Sequence, residues 1–224
     1  MKNIFPLLNT SPLFAGINSD DFDSLLTCLS ANLKSFNKEE TIYFEGDMIT
    51  EIGICINGRL HLVKVDVWGN RSIVAEIKPP DMFTESVVCS GTGRIFLNVV
   101  AKETSQILFI DYKKIISTYS SCCAFQGKLI HNMIGILARK NLNLASKMEY
   151  ITKRTIREKL LSYLSDMARQ QNSKTFFISF NRQELADYLA VDRSALSAEM
   201  SKLKAQGYID YKKNYFELLR EVTQ

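Results

Sequence analysis

The sequence of 224 residues has only two histidines and five cysteines, which are side chains that often bind metals or act in catalysis. Its histidines, His61 and His131, lie far apart, and no two cysteines have the C-x-x-C spacing of a zinc or redox motif. Cys122 and Cys123 are adjacent, so their side chains point in different directions and do not favour a shared metal site. Since no nucleophile motif is present either, we expect neither a metal site nor an enzyme.

The cysteines and the hydrophobic runs both favour a cytoplasmic protein. The odd number of cysteines fits reduced thiols, most of them small buried hydrophobic residues, rather than a disulfide framework. They are Cys28, Cys55, Cys89, Cys122 and Cys123. No apolar run reaches about 18 residues, and the N-terminal segment Met1–Pro6 lacks the apolar stretch of a signal peptide. We therefore expect a cytoplasmic location and no membrane partner.

Positive charge is in excess only in the last third of the chain. Residues 151–224 carry thirteen Lys or Arg against nine Asp or Glu, whereas residues 1–150 carry fifteen of each kind. A surplus of this size is often only a solvated face, so charge alone does not decide between nucleic-acid binding and an ordinary surface. The pattern of apolar and polar residues has to decide.

From about Phe36 to Ile110, short runs of Ile, Val, Leu and Phe alternate with turns, which is typical of many short strands. Asn57-Gly58 is a strong signal for a hairpin turn, because both central positions of that turn need positive φ. The pattern predicts a compact antiparallel β-roll or barrel in this part of the chain.

Between about Ser120 and Met148, apolar residues recur at helical spacing and predict one long amphipathic helix. Its apolar stripe contains Leu129, Met133, Ile136, Leu137, Ala138, Leu142 and Ala145. Two partners for this stripe stay open at this point: the chain's own β-roll, or the same helix of a second chain. A second helix from Arg154 to Gln170 and a short strand from Thr175 to Phe180 are predicted to follow.

Residues 181–204 have the pattern of two short helices that meet at an angle. Asn181 is a suitable N-cap, and Glu184 three residues later completes a capping box. Ala190-Val191 is predicted to form a tight turn, and Asp192 to cap the second helix. The buried face of that helix is predicted to consist of Leu196, Met200 and Leu203.

The opposite face of this second helix is polar and suits the major groove of DNA. It is formed by Arg193, Ser194, Ser197, Ser201 and Lys202. Arg193 can make paired hydrogen bonds to guanine O6 and N7, and serines can serve several bases. Lys202 and Arg182 are expected to contact phosphates, which add affinity without sequence information. The remaining candidate DNA-binding residues are Asn181, Gln183 and Asp192. The alternative is an ordinary helical hairpin with solvated polar residues.

After Gly207, the sequence predicts a tight β-hairpin with a basic tip. The two strands are expected at 208–211 and 215–218, with Lys212 and Lys213 at or beside the turn. A hairpin in this place forms a wing beside the two helices. Capped helix, turn, polar-faced helix and hairpin in this order favour a winged helix-turn-helix more strongly than any of these parts alone.

Five motifs give the sequence a resemblance to a known family: Phe44–Asp47, Asn57–Leu60, Lys153–Leu161, Arg182–Ala186 and Val191–Ser197. With them, nearly the whole chain resembles the Crp/Fnr family of bacterial transcription factors. The resemblance implies an α+β fold with an N-terminal antiparallel β-roll of the cyclic-nucleotide-binding type (a double-stranded β-helix) at 1–119. A dimerisation helix at 120–151 and a C-terminal winged helix-turn-helix at 152–224 would follow. It also implies a homodimer on a pseudo-palindromic site in double-stranded DNA, with RNA polymerase as a further partner.

The segment that resembles the family's phosphate-binding cassette is altered. Pro80 and Thr84 replace glycines that let the backbone approach a phosphate. The aspartate and the glutamate of the cassette are kept as Asp81 and Glu85. The arginine-serine pair of the family falls on Ile95-Phe96, with Arg94 one residue out of register. Desolvating a phosphate without its cation is costly, so we predict that cyclic AMP is not the effector. The candidate effector pocket consists of Met82, Phe83, Glu85, Arg94, Ile95 and Phe96.

Other sensing chemistries of the family lack their residues here. The N-terminal region offers only Cys28, so an iron–sulfur cluster is not expected, and both histidines are expected to be core or surface residues rather than haem ligands. No cofactor is predicted. A different small-molecule effector, a thiol-modifying signal or no effector stay open. Ala198 stands where many members carry an arginine, so Arg193, Ser194 and Ser197 are expected to carry more of the operator discrimination.

A hypothesis from a different class also stays open. A small-molecule sensor or regulatory subunit could keep this fold and act through protein partners instead of DNA. The two hypotheses differ in one observable, because only DNA recognition predicts a salt-sensitive, sequence-specific footprint.

Overall fold

The computed structural model describes residues 2–116 and 123–220, and these form two compact units. The first unit comprises Met1–Asn70 and Val74–Asn141, and the second comprises Arg71–Ile73 and Leu142–Gln224. Each unit has its own hydrophobic core. The helix Cys123–Ile151 belongs to both units. The division into three parts at residues 119 and 151 stays a prediction.

The first unit is a β-roll with short helices around it. Its helices are α1 (Phe5–Leu8), α2 (Phe22–Cys28), α3 (Glu85–Cys89), α4 (Tyr112–Ile116) and the first part of α5 (Cys123–Ile151). The strands of the roll are β1 (Asn32–Phe36), β2 (Thr41–Tyr43), β3 (Glu51–Asn57), β4 (Leu60–Val65), β5 (Arg71–Ile77), β6 (Met82–Phe83), β7 (Asn98–Ala101) and β8 (Ser105–Asp111). The first three residues of β5 belong to the second unit. They form two four-stranded sheets, with strand orders β1-β8-β3-β6 and β2-β7-β4-β5.

Aromatic rings pack together inside the roll, whose short strands lie where the sequence predicts them. The ring of Phe109 lies edge-on to those of Phe36, Tyr43 and Phe83, with centroids 6.3, 6.1 and 6.4 Å away. Such edge-to-face contacts stabilise a core beyond the burial of their area. A Cβ atom at Gly53 would lie 2.4 Å from the Phe83 ring, so this packing requires a glycine in β3.

The turn at Asn57-Gly58 exists, but the prediction that it closes a hairpin is wrong. Strands β3 and β4 lie in different sheets, so the turn carries the chain from one sheet to the other. Of the two residues, Gly58 alone has positive φ, at 89°. A Cβ atom at Gly58 would lie 2.2 Å from the hydroxyl oxygen of Ser105, so glycine is also required by the close approach of β8.

Helix α5 divides the apolar stripe that the sequence predicts. Leu129, Met133 and Ile136 are buried in the core of the first unit, which confirms the β-roll as the partner of this part. Leu142 is instead 68% exposed. The predicted start at Ser120 lies outside the described residues. No helix within residues 2–116 and 123–220 is long and apolar enough to cross a membrane.

The second unit contains the second part of α5 and the predicted winged helix-turn-helix. Its further elements are α6 (Ile156–Gln170), β9 (Thr175–Phe177), α7 (Arg182–Leu189), α8 (Arg193–Ala205), β10 (Ile209–Lys212) and β11 (Tyr215–Leu218). The strands form one antiparallel sheet in the order β10-β11-β9. Leu196, Met200 and Leu203 of α8 are fully buried, as their spacing predicts.

The cysteines follow the expectation of reduced thiols only in part. Cys55 and Cys89 are free, and burial raises the pKa of the Cys55 thiol to about 12, which keeps it protonated and unreactive. Cys28 is disulfide-bonded, so the prediction of a reduced thiol is wrong at this position. The side chains of Cys122 and Cys123 lie outside the described part of the chain. Pairing in space cannot be deduced from cysteine spacing alone.

Replacement of Thr155 by alanine should destabilise the second unit, because Thr155 caps α6. Its hydroxyl accepts a hydrogen bond from the Glu158 amide at 3.2 Å, and its own amide donates to the Glu158 carboxylate at 3.1 Å. Loss of such a cap costs about 1 kcal/mol of the free energy of unfolding. Urea unfolding followed by circular dichroism would measure it. Thr152→Ala is the control, since the Thr152 hydroxyl caps no helix start; equal effects of the two changes would contradict the capping role.

Candidate nucleic-acid interface

The first helix of the motif begins at a complete capping box. The Glu184 amide donates to the Asn181 side-chain oxygen at 3.0 Å, and the Asn181 amide donates to the Glu184 carboxylate at 2.9 Å. The helix ends where Ala190 adopts a left-handed conformation with φ of 52°. The predicted N-cap and tight turn are therefore both confirmed, and together they fix where α8 starts relative to α7.

The second helix of the motif begins at Asp192, as predicted. Its carboxylate accepts hydrogen bonds from the Ser194 hydroxyl and, at 2.8 Å, from the Ala195 amide. These bonds, the Ser194 bond above all, hold the pKa of Asp192 below its ordinary value. The cap is therefore intact at neutral pH, and its contribution is lost as the pH falls through the lowered pKa. Asp192 thus caps the helix start, and its contact with DNA stays a prediction.

The predicted reading face of α8 lies on the surface. Arg193, Ser194, Ser201 and Lys202 are exposed, Ser197 is half-buried, and Ala198 lies exposed among them. No carboxylate of the described residues engages the Arg193 guanidinium, whereas Lys202 lies 3.9 Å from the Glu199 carboxylate. Helix α8 therefore presents Arg193, without an ion-pair partner among the described residues, at its N-terminal end. Lys202, near its C-terminal end, is partly neutralised by Glu199.

Two serine hydroxyls of α8 donate hydrogen bonds to backbone carbonyls of the same helix. Ser197 donates to the Arg193 carbonyl at 2.9 Å, and Ser201 donates to the Ser197 carbonyl at 3.0 Å. A hydroxyl that donates in this way keeps lone pairs that can accept hydrogen bonds. The central part of the face is therefore arranged to accept from donor groups, such as the amino groups of cytosine and adenine.

Arg182 does not point away from the protein, although the sequence placed it among the phosphate contacts. Its guanidinium carbon lies 5.1 Å from the ring centre of Tyr211 and 5.9 Å from that of Phe216, and one of its nitrogens contacts the Met200 sulfur. Burial lowers the pKa of Arg182 below its ordinary value. The side chain braces the wing against α7 and α8, and its contact with phosphate stays a prediction.

The remaining polar residues stand at the edges of the motif. Gln183 is exposed and donates a hydrogen bond to Asp187 at 2.8 Å. At the wing tip, Lys212 and Lys213 are exposed, and Lys213 takes the positive φ of 56° that the turn needs. Neither lysine was among the candidate DNA-binding residues, although the basic tip of the predicted hairpin was the signal that could have added them.

The six candidate effector residues do not share one surface. Met82, Phe83, Glu85 and Ile95 are buried, whereas Arg94 and Phe96 are exposed. Phe96 is 60% exposed, so its ring lies at the surface. The altered cassette therefore contributes mainly to the core of the roll.

Glu85 has a cation of its own chain beside it. The Lys140 ammonium lies 2.7 Å from one carboxylate oxygen and also donates to the Met82 carbonyl. The second oxygen of Glu85 is buried and accepts no hydrogen bond from the described residues. Sequence reasoning missed Lys140, because the two residues lie on different elements and no local pattern connects them.

The histidine that lies in the roll has a structural environment. His61 is fully buried, and its Nε2 atom lies 3.5 Å from the Glu76 carboxylate, which also contacts Arg59 and Lys78. Within residues 2–116 and 123–220, no three His, Cys, Asp or Glu side chains come together as metal ligands would.

Comparison with known proteins supports the assignment of both units. A cyclic nucleotide-binding domain model matches residues 33–122, and a Crp-like helix-turn-helix domain model matches residues 158–221. The cyclic AMP receptor protein of Thermus thermophilus is 22% identical over 202 residues, which cover 89% of this chain and 88% of that relative.

Solved structures with low sequence identity show the same fold. FixK2 of Bradyrhizobium japonicum is 18% identical with a TM-score of 0.66, covering 85% of this chain and 93% of its own. The c-di-GMP responsive regulator CLP of Xanthomonas campestris is 12% identical with a TM-score of 0.74, covering 91% of this chain and 100% of its own. Since two family models account for both the β-roll and the helix-turn-helix, the chain belongs to the Crp/Fnr family of DNA-binding transcriptional regulators.

Proposed function

We propose that this regulator binds a pseudo-palindromic DNA site as a homodimer in the cytoplasm, with α8 of each copy in the major groove. The observation that carries the proposal is the free Arg193 guanidinium at the capped N-terminal end of α8. In helix-turn-helix proteins, the N-terminal residues of the second helix contact base edges. An arginine in this place is suited to the paired acceptors O6 and N7 of guanine.

The serines next to Arg193 would read neighbouring bases as hydrogen-bond acceptors. Ser197 and Ser201 donate their protons to backbone carbonyls of α8, which favours bases that present an amino group to the major groove. Ser194 is tied to Asp192 and helps to hold the helix start in place. Ala198 adds no polar contact, so discrimination would be concentrated on Arg193, Ser197 and Ser201.

Phosphate contacts would surround this reading face. Lys202 on α8 and the wing-tip residues Lys212 and Lys213 are exposed cations that suit the DNA backbone. Asn181 and Gln183 at the start of α7 would contribute polar groups. Arg182 would act from behind, by holding the wing in position through its contacts with Tyr211 and Phe216.

A homodimer is supported by the exposed side of α5. Ile134, Leu144 and Met148 are 61%, 49% and 60% exposed, which is unusual for large apolar residues of one helix. Two copies joined there would place two recognition helices on half-sites about 34 Å apart. Bound near a promoter, such a dimer would act on RNA polymerase.

The proposed effector is not cyclic AMP. In the cassette, the Lys140 ammonium already neutralises Glu85, the carboxylate that would meet a ribose hydroxyl. Ile95, which stands in the place of the family's arginine, has no charge and is buried in the core. Arg94 is exposed, so it supplies no cation to a phosphate inside the roll. A nucleotide anion buried without a cation would lose more hydration energy than it regains.

Arg193→Ala should weaken binding to the specific site by about 1–3 kcal/mol and relax base preference at one position per half-site, because two hydrogen bonds to a guanine are lost. Selection from random DNA followed by fluorescence anisotropy would measure both effects. Lys202→Ala removes the same charge from the same helix and is the matched control. It should weaken specific and random DNA alike and reduce the salt dependence by about one unit of slope.

Two results would contradict this assignment. Equal weakening of specific and random DNA by Arg193→Ala would exclude Arg193 from base reading. The absence of any sequence-specific footprint for the unaltered protein would exclude DNA recognition and favour a sensor that acts through protein partners.

Cyclic AMP should leave the melting temperature and the DNA affinity unchanged. A ligand at one hundred times its Kd would stabilise the folded protein by about 2.7 kcal/mol, which is readily seen in thermal unfolding. Differential scanning fluorimetry with cyclic AMP, and with 5′-AMP as the control, would test the expectation. A saturable rise in melting temperature with cyclic AMP alone would contradict it.

A further inference from the structure

Helix α5 carries a second apolar face that its own chain covers only in part. Leu137 packs against the core of the first unit, and Ile151 packs against the core of the second. From Ile134 onward, every third and then fourth residue falls on this face: Ile134, Leu137, Asn141, Leu144, Met148 and Ile151. Half or more of the surface of Ile134 and Met148 is exposed, and Leu137 and Ile151 are half-buried. A spacing that averages 3.5 residues is the repeat of a left-handed coiled coil, here over roughly 26 Å of helix.

The residue types on this face are those of a parallel pair of helices. Ile134 and Met148 share the a position of the repeat with Asn141, while Leu137 and Leu144 occupy the d position. Isoleucine at a and leucine at d favour two parallel strands, and a single asparagine at an a position specifies the register. Asn141 is exposed, and no side chain of the described residues engages its amide.

The charges beside this face favour a second copy of the same helix as its partner. The cations in the flanking g positions are Lys140 and Lys147, and both turn to their own chain. Lys140 pairs with Glu85, and the Lys147 ammonium lies 3.8 Å from the ring centre of Tyr188. The flanking e positions hold alanines, Ala138 and Ala145. Two identical helices would therefore meet with little repulsion between these lysines.

We propose that Asn141 fixes the register of this helix pair by hydrogen bonding to Asn141 of a second copy, an inference that rests on the homodimer proposed above. An amide has both donors and an acceptor, so two of them across a two-fold axis satisfy each other. A shift by one heptad would set each Asn141 against Ile134 or Met148 and leave buried amides unpaired, which is costly. The same shift would displace the helices by about 10 Å, too much for half-sites at a fixed spacing.

Charge exchange at position 141 tests this pairing directly. N141D and N141K are prepared as full-length proteins, and their dimerisation is measured by light scattering and sedimentation, alone and mixed. Each variant alone should dimerise at least about tenfold more weakly than the unaltered protein, because like charges face each other in an apolar seam. The mixture should restore dimers, which native mass spectrometry should show to contain one chain of each kind.

Asn143 provides the matched control, since it is exposed on α5 two residues away and lies outside the seam. N143D and N143K should dimerise like the unaltered protein and should not prefer mixed dimers. Recovery of mixed dimers from N141D and N141K also shows that both variants fold.

Two outcomes would overturn the inference, and they are distinguishable. If the unaltered protein dimerises, and N141D and N141K do so equally well without preference for each other, the homodimer stands and the register role of Asn141 fails. If the unaltered protein stays monomeric both free and on its DNA site, the proposed homodimer fails and the inference fails with it.

Discussion

Helix α5 has two apolar faces, and the organisation of the protein depends on what buries each of them. Along the side of α5 that carries Leu129, Met133 and Ile136, burial in the roll ties the helix to the first unit. Its other side leaves Ile134 and Met148 largely in solvent. Burial of apolar surface is the main favourable term in folding and in most association, so the same segment would also support the proposed homodimer.

The helix-turn-helix could be predicted in detail because its signals are local. Asn181 and Asp192 mark helix starts through hydrogen bonds that reach only three residues ahead, and such bonds depend on sequence spacing alone. Leu196, Met200 and Leu203 are buried as their spacing requires. The position of Arg182 could not be read in this way, because its aromatic partners come from the wing.

The β-roll was predictable as a class but not in its connections. Alternating apolar runs predict strands, yet the choice of partner strand depends on contacts between distant segments, and the turn at Gly58 joins two sheets instead of closing a hairpin. For the same reason, the local sequence pattern could not predict the disulfide bond of Cys28 or the pairing of Glu85 with Lys140. Each depends on residues that meet only after the chain has folded.

The pairing of Glu85 with Lys140 shows what stabilises a buried carboxylate in this roll. A buried carboxylate has to be paired with a cation or a hydrogen-bond donor. This partner can come from a bound molecule or from the chain itself. Here the chain supplies it, because the Lys140 ammonium pairs with Glu85. Exchange of Lys140 for an uncharged residue would leave this carboxylate to be paired by a cation from outside the chain, while the residues of α8 stay the same.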